Sequence, residues 1–502
     1  MPDTPEMKYS LIILPAIISL VSLSHYHCIL KAPSNEAVDI SNWYFANDGR
    51  DRHQGHSPDN PKQSISELNS LTLEPGDTVF LKCGNTWREK LVPLTSGTDG
   101  MPIVFTSFGK GSKPMISRSV PANNTDNWTN VDRNLWIYDN AAFTVDVGNL
   151  IFNDDSVGIK ERSLGNLDTQ GDFWYSYSDN TLTIYSIGNP ASVYGNIECA
   201  LGENAIQLWD GQDYLTFDGS AIQTAWRPGI SAANNKATNI IVRKCDFEWC
   251  GGMESYEGAG YRLGNGIEFF NMTATDILVE KCYFKEIYDA GVTPQFPNTN
   301  DSLINFFVNG NLFIDCRYAF EFSWNQNGNS FAESVHFNNN TCYTTTGGFG
   351  SGQRWDGNTY TQIIFYDNGG SGSNDIQIKN NIVYVDSTEG QVSKCIAFHF
   401  FPLPDWIDID YNLYYSSQSF EDNHWLGSAS GIHHYSLSSW QTASGSPDGN
   451  GYNSDPLLIN APTNLRVNPA SEAVDKGVSF VEYTTDYDGT AVSNPPNIGA
   501  YE

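Results

Sequence analysis

Positive charge is scarce in this chain: 27 Lys and Arg against 58 Asp and Glu leave a formal net charge of −31 over 502 residues. Phosphate recognition needs a basic surface, so nucleic acid is excluded as a partner. The same charge repels acidic polymers at long range, so an anionic substrate requires a locally basic site and salt to screen the field within about 8 Å. Long apolar runs are equally scarce. Only Leu11 to Leu23 qualifies; it is too short to span a bilayer comfortably, and no second run follows it. With Lys8 ahead and the small Ser22 and Ser24 behind, it reads as an export signal cleaved after Ser24, starting from Met1 or Met7. A lipoprotein anchored through Cys28 is the alternative, but His25, Tyr26 and His27 fit such a cleavage site poorly. The expected location is secreted or periplasmic. The 9 cysteines include no Cys-x-x-Cys pair, so they read as small buried apolar residues, with disulfides permitted by export but not required. There is no His/Cys metal cluster, no phosphate-cradling Gly loop and no readable Ser-His-Asp set. No cofactor is expected. A structural calcium on carboxylates stays open, without an EF-hand loop to hold it.

Long helical periodicity is nearly absent, and 44 Gly with many Asn, Asp and Ser mark frequent turns. What is present is a degenerate repeat. Ile240-Ile-Val-Arg-Lys-Cys245-Asp-Phe247 is matched by Ile277-Leu-Val-Glu-Lys-Cys282-Tyr-Phe284 and by Phe306-Phe-Val-Asn-Gly-Asn311-Leu-Phe313. Later copies place Asn340, Asn381 and Asn412 at the same corner, and Leu215-Thr-Phe-Asp-Gly-Ser220 is a weaker early one. Apolar residues two apart, a polar corner and another apolar residue make strand, turn and strand. Successive corners lie 25, 37, 29, 29, 41 and 31 residues apart, which is the period of a solenoid with insertions on one side. An antiparallel sandwich or propeller explains the alternation but not one residue type at one offset. The expected fold is all-β, a right-handed parallel β-helix. The stacked Asn side chains should form a hydrogen-bonded ladder. Cys245 and Cys282 occupy the same corner and should pack there, a disulfide being the second reading.

The organisation that follows is a leader at 1–24, an N-terminal cap and first coils at 25–119, an inserted antiparallel β element at 120–205, the β-helix core at 206–420, and a C-terminal coil and cap at 421–502. Ser64, with Glu67 three residues on, caps a short helix that covers the first rung's open edge. Strand-like Trp136-Ile-Tyr138, Gly171-Asp-Phe-Trp-Tyr175 and Thr181-Leu-Thr-Ile-Tyr185 supply the insert.

Gly76-Asp-Thr-Val, Asn85-Thr-Trp87 and Gly97-Thr-Asp-Gly-Met-Pro-Ile103 resemble exported bacterial β-helix proteins of carbohydrate metabolism. So do Gln170-Gly-Asp-Phe-Trp-Tyr175, Gly264-Asn-Gly-Ile-Glu268, Ile287-Tyr-Asp-Ala-Gly291 and Ile498-Gly-Ala-Tyr501. The resemblance is strongest to β-helix glycoside hydrolases acting on fucose-containing sulfated polysaccharides, and it implies an endo-acting hydrolase. It carries no complete catalytic signature, and xylanases and polysaccharide lyases share the architecture.

A second set of strands lies between the corners. Where aromatic or aliphatic residues flank a position on both sides, that position points outward. The outward row reads Glu268, Thr293, Glu321, Gly350 and His399. Rungs stack about 4.8 Å apart, so Glu268 and Glu321, two rungs apart, should have backbones about 9.6 Å apart. That fits the separation of roughly 6.5–9.5 Å at which an inverting glycosidase holds its acid and base. Asp289 can approach either carboxylate and raise its affinity for a proton. Arg354, Arg262 and Arg317 are candidates for holding sulfate or carboxylate, Gln295 for a hydroxyl, Trp249, Trp324 and Trp355 for stacking on a sugar, and His399 for a substrate contact. Core packing or a surface ion pair explains each of these as readily. Three functions remain: a hydrolase using Glu268, Glu321 and Asp289; a lyase drawing on Lys281, Lys285 and Arg354; and a non-catalytic carbohydrate-binding solenoid. In each the partner is a polysaccharide, and the protein is a monomer.

Overall fold

The computed structural model describes residues 40–202, 204–223, 228–254, 258, 260–296, 300–324, 330–354, 359–366, 372–386, 392–400, 402–417, 425–427, 433–443 and 447–502. The expected leader, Cys28 and Trp355 lie outside them. No helix among the described residues is long and apolar enough to cross a membrane.

The chain winds as a right-handed parallel β-helix with three sheets, of 10, 9 and 10 strands. Sheet I contains the repeat's first strands, among them Ala237–Arg243, Ala274–Glu280, Ser302–Asn309, Phe331–Asn338 and Asn374–Lys379. Sheet II contains the short strands after the corner, such as Tyr283–Lys285, Leu312–Ile314 and Thr341–Thr344. Sheet III returns the chain through Ile267–Phe270, Ala290–Phe296, Tyr318–Trp324, Thr359–Phe365 and Val392–Phe398. Inward residues repeat on every coil and stack on their own kind. Phe247, Phe284 and Phe313 lie 4.8 and 4.7 Å apart, ring over ring. One apolar core runs through all three sheets.

The corner explains why the repeat tolerates so much variation elsewhere. The residue before each corner side chain has positive φ: Lys244, Lys281, Gly310, Asn339, Asn380 and Tyr411 lie between 53° and 65°. That conformation turns the strand sharply and leaves backbone groups facing inward, and the corner side chains satisfy them. The Asn311 amide NH and Nδ2 donate to Asn340 Oδ1, at 2.9 and 3.0 Å. The contact recurs from Asn340 to Asn381 and from Asn381 to Asn412. Each Nδ2 also donates to a carbonyl of sheet I, as Asn340 does to Val308. Cys245 and Cys282 sit in the same column as free thiols, so the disulfide reading is excluded.

The ladder ends on an acid. Asn412 Nδ2 donates to Asp448 Oδ2 at 3.2 Å, and the Tyr414 hydroxyl donates to the same oxygen at 2.5 Å. Burial pushes the Asp448 carboxyl up to about 7 from the ordinary 3.8, despite those donors. Because the folded chain holds this proton more tightly, the stabilisation is complete below pH 3.8 and is lost as pH rises through 7. Asp448→Asn is therefore expected to raise stability at pH 8 by on the order of 3 kcal/mol and to change little at pH 4. Urea midpoints at the two pH values measure this, and an equal effect at both would contradict it.

Ser64 caps the helix Ile65–Leu68 by accepting from the Glu67 NH, and Ile65 and Leu68 join the core of the first rungs. Antiparallel strands between residues 119 and 201 interrupt the solenoid and close over their own core of Trp128, Tyr138, Phe173, Tyr175 and Ile184. The C-terminal segment lies along the outside of sheet II. Ile498 packs with Ile382 and Leu413, and Ala500 with Leu312 and Ile314.

Candidate active site

Parallel pairing on sheet III fixes which outward residues share a column. Ser231 pairs with Glu268, and Glu268 with Thr293. The next register, Val292 with Phe320 and Gln295 with Ser323, sets Thr293 beside Glu321, and Ile364 and Ala397 complete the column. The two glutamates therefore stand on one face, one rung apart from Thr293 on either side. Gly350 is not in this column. It lies in a short helix, Gly348–Gly352, and the missing rung is the strand Thr359–Phe365. The helix presses on the solenoid so closely that a Cβ at Gly350 would meet the Tyr288 carbonyl at 1.8 Å. His399 follows the strand Val392–Phe398 two residues beyond Ala397, exposed, with its ring 4.6 Å from that of Tyr366. It shares the face but lies in the neighbouring column.

The two carboxylates sit in different surroundings. Glu268 borders a cleft of about 310 Å³ with Asp289, Gln295, Asn265, Ser231 and Trp209. It accepts hydrogen bonds from Asn265 Nδ2 at 2.8 Å and Ser231 Oγ at 3.3 Å. Asn265 is itself held through its Oδ1, which accepts from the Ala290 NH. Glu321 is 7 % exposed and accepts from Thr293 Oγ1 at 3.1 Å and Gln295 Nε2 at 3.0 Å. Burial, followed by the neighbouring Asp289 carboxylate, pushes Glu321 up to about 8, against the opposing pull of Thr293, Arg354 and Gln295. Asp289 is paired with Arg354 at 2.7 Å, whereas the hydrogen-bond donors to Glu321 among the described residues are the neutral Thr293 and Gln295, so the cost of burying a charged Glu321 is only partly offset. Both glutamates lean one rung towards the amino-terminal end, Glu268 to Ser231 and Glu321 to Thr293. Their backbones stand two rungs, about 9.6 Å, apart.

Of the other candidates, Gln295 and Arg354 join this centre. Arg262 does not. Its side chain is fully buried and donates to the carbonyls of Gly252 and Gly148 and to Gln353 Oε1, so it braces the wall and cannot reach a sugar. Trp249 is 5 % exposed and packs with Phe349, Tyr288 and Met253. The backbone of Trp324 pairs with Phe296, and its side chain lies outside the described residues. Lys281 donates to Thr485 on the C-terminal segment, and Lys285 lies over the Trp249 ring, so neither reaches Glu321. Arg317, the third arginine candidate, immediately precedes the strand that carries Glu321. It is 5 % exposed, its guanidinium lies 5.1 Å from the Tyr318 ring, and its Nε and Nη1 meet no acceptor among the described residues. Asn265, Ser231 and Trp209 are absent from the sequence-based set, although Asn265 lies within the Gly264-Asn-Gly-Ile-Glu268 motif. Among the described residues no group of three or more His, Cys, Asp or Glu could hold a metal ion.

No family model and no curated protein matches the chain. Solved structures do. A GH136 lacto-N-biosidase from Eubacterium ramulus is 15 % identical with a TM-score of 0.46, over 77 % of this chain and 61 % of its own length. A complex of XylC with xylose is 12 % identical with a TM-score of 0.44, over 77 % and 71 % of the two chains. The pectate lyase Pel9A is 12 % identical with a TM-score of 0.34, over 92 % and 97 %. The chain thus spans less than two thirds of the lacto-N-biosidase, and the chemistry has to be argued from the site itself.

Proposed function

We propose that this chain is a secreted, endo-acting glycoside hydrolase that cleaves a fucose-containing, sulfated polysaccharide with inversion. Glu321 is the general acid and Glu268 the general base. The observation that carries the reading is the column on sheet III: two carboxylates two rungs apart, of which the buried one keeps its proton near neutral pH. Glu321 protonates the leaving oxygen, and Glu268, oriented by Asn265 and Ser231, takes a proton from the attacking water on the opposite side of the ring. Burial, and after it the Asp289 carboxylate fixed by Arg354, keeps Glu321 protonated between turnovers. The fucose-containing, sulfated character of the substrate rests on the sequence resemblance; Arg317 Nε and Nη1 are buried from solvent and lie outside the lining of the cleft. Export rests on the leader sequence.

A lyase is the second reading. Lys394 pairs in register with Thr361, whose NH donates to the Arg317 carbonyl, so Arg317 and Lys394 stand two rungs apart beside this column. Burial pushes the Lys394 ammonium down, as a base for proton abstraction requires. Incubation with sulfated fucans, alginate, pectin and xylans separates the two. The hydrolase reading expects new reducing ends from a fucan without ultraviolet absorbance. Absorbance from a new C=C bond would favour the lyase, and binding without any product would leave a carbohydrate-binding solenoid.

A further inference from the structure

A second pocket lies where the antiparallel insert meets the solenoid. It holds about 400 Å³ and is lined from the insert by Lys160, Arg162, Trp174, Tyr175, Ser176 and Tyr177, and from the solenoid by Glu254. Its floor is a buried polar cluster. Lys160 Nζ is paired with Asp146, and both side chains are almost fully enclosed. The Tyr177 hydroxyl donates to Glu254 Oε2 at 3.2 Å, and the Glu254 NH donates to Asp146 Oδ2 at 3.2 Å. Glu254 is 7 % exposed, yet it borders the pocket. Trp174, half-buried, stands on the strand Phe173–Ser176 between two residues that anchor the insert's core.

The charges here balance, in a protein that is otherwise strongly acidic. Asp146, Glu161 and Glu254 are offset by Lys160, Arg162 and the adjacent Arg262. An uncharged ligand fits such a setting better than an anion or a cation. An aromatic ring beside converging hydroxyl and carboxylate groups, in an enclosed site between two structural units, is the composition of a small-ligand pocket. The partition from the catalytic cleft is thin. Met253–Glu254 pairs antiparallel with Arg262–Leu263, and Met253 and Leu263 line the cleft that holds Glu268, while Glu254 lines this pocket. The backs of the two sites are joined as well: Gln353 accepts from the Lys160 NH and from Arg262, and the next residue is Arg354.

We propose that this pocket is a carbohydrate subsite that takes an uncharged pyranose unit of the polymer, with its apolar face on Trp174 and its hydroxyls on Glu254 and Ser176. It continues the catalytic cleft across the paired strands Met253–Glu254 and Arg262–Leu263, and in that respect it rests on the hydrolase reading. The insert then serves to grip the chain beyond the cut bond.

Crystals of the full chain carrying Glu321→Gln, soaked separately in fucose, xylose and galactose, test the pocket without requiring turnover. A sugar ring over Trp174 is expected with at least one of them. Rings only in the cleft, or none at either place, would overturn the proposal. Electrophoresis of the same protein through gels containing fucan, xylan, pectin or alginate tests it in solution. Adding Trp174→Ala should weaken retention by up to about tenfold, and Trp174→Phe should restore most of it. Equal retention of all three proteins would mean binding at crystal concentration only, and would equally overturn it. Failure here leaves the glutamate pair standing, because loss of turnover in Glu321→Gln is read separately. Conversely, persistent turnover in that variant would remove the hydrolase mechanism without altering where a sugar binds.

Discussion

Replacing Glu321 by Gln should lower turnover by roughly 10²–10⁴-fold while leaving the fold intact. The amide keeps an oxygen to accept from Thr293 and Gln295, and it cannot donate the catalytic proton. The wild-type pH profile should carry the same signature. Burial and Asp289 raise the Glu321 carboxyl to about 8, so the acid form is present below that value and activity falls as pH climbs through it. The stability linkage has the same sign: the contribution of a protonated Glu321 is present at low pH and lost through pH 8, so Glu321→Gln should be at least as stable as wild type in alkali. Glu268→Gln should cost a similar factor. Activity within a few-fold of wild type for both variants would remove the pair from the mechanism.

Asn340→Ala should be among the most destabilising single changes in the solenoid. Asn340 is fully buried, its Oδ1 accepts from the Asn311 NH, and its Nδ2 donates to the Val308 carbonyl. Removing the side chain leaves those two backbone groups buried without partners, at roughly 1–3 kcal/mol each, so a loss of about 2–6 kcal/mol is expected. Asn311 and Asn381 each lose their side-chain contact with Asn340 but keep their bonds to Val279 and Asn412, and the weakening should therefore concentrate at the coils that meet at this corner. Urea denaturation gives the total, and hydrogen exchange at the Asn311 amide gives the location. A change below about 1 kcal/mol would show that the ladder decorates the fold without holding it.

The corners were readable because two constraints coincide in a few residues. A left-handed residue must precede an inward polar side chain, and that side chain must pair with its copy on the next coil. Such a demand recurs at each rung and survives wide variation in the strands. The sheet III column was readable as far as the alternation held, through Phe269, Phe320 and Phe322 around the outward glutamates. It failed at Gly347 to Ser351, where glycines around Phe349 imitate a strand. Positive φ at Gly347 and Gly348 turns the segment into a helix instead. The interval between Asn340 and Asn381 carried the signal: its 41 residues exceed the preceding 29 by 12, enough to house the helix before the true strand begins. Arg262 could not be placed from sequence. Its partners come from residues 148, 252 and 353, brought together only by the insert and the helix. Arg317 was noticed for its charge, but the lack of partners that makes it interesting is a property of packing.

The configuration of the newly released sugar, followed by proton NMR during the first minutes of digestion, is the most telling experiment on the glutamate pair. Carboxylates two rungs apart leave room for water opposite the leaving group, so the first product should appear with its anomeric centre inverted and relax afterwards to the equilibrium mixture. Product that appears first with retained configuration would require carboxylates only about 5–5.5 Å apart and would contradict the two-rung arrangement.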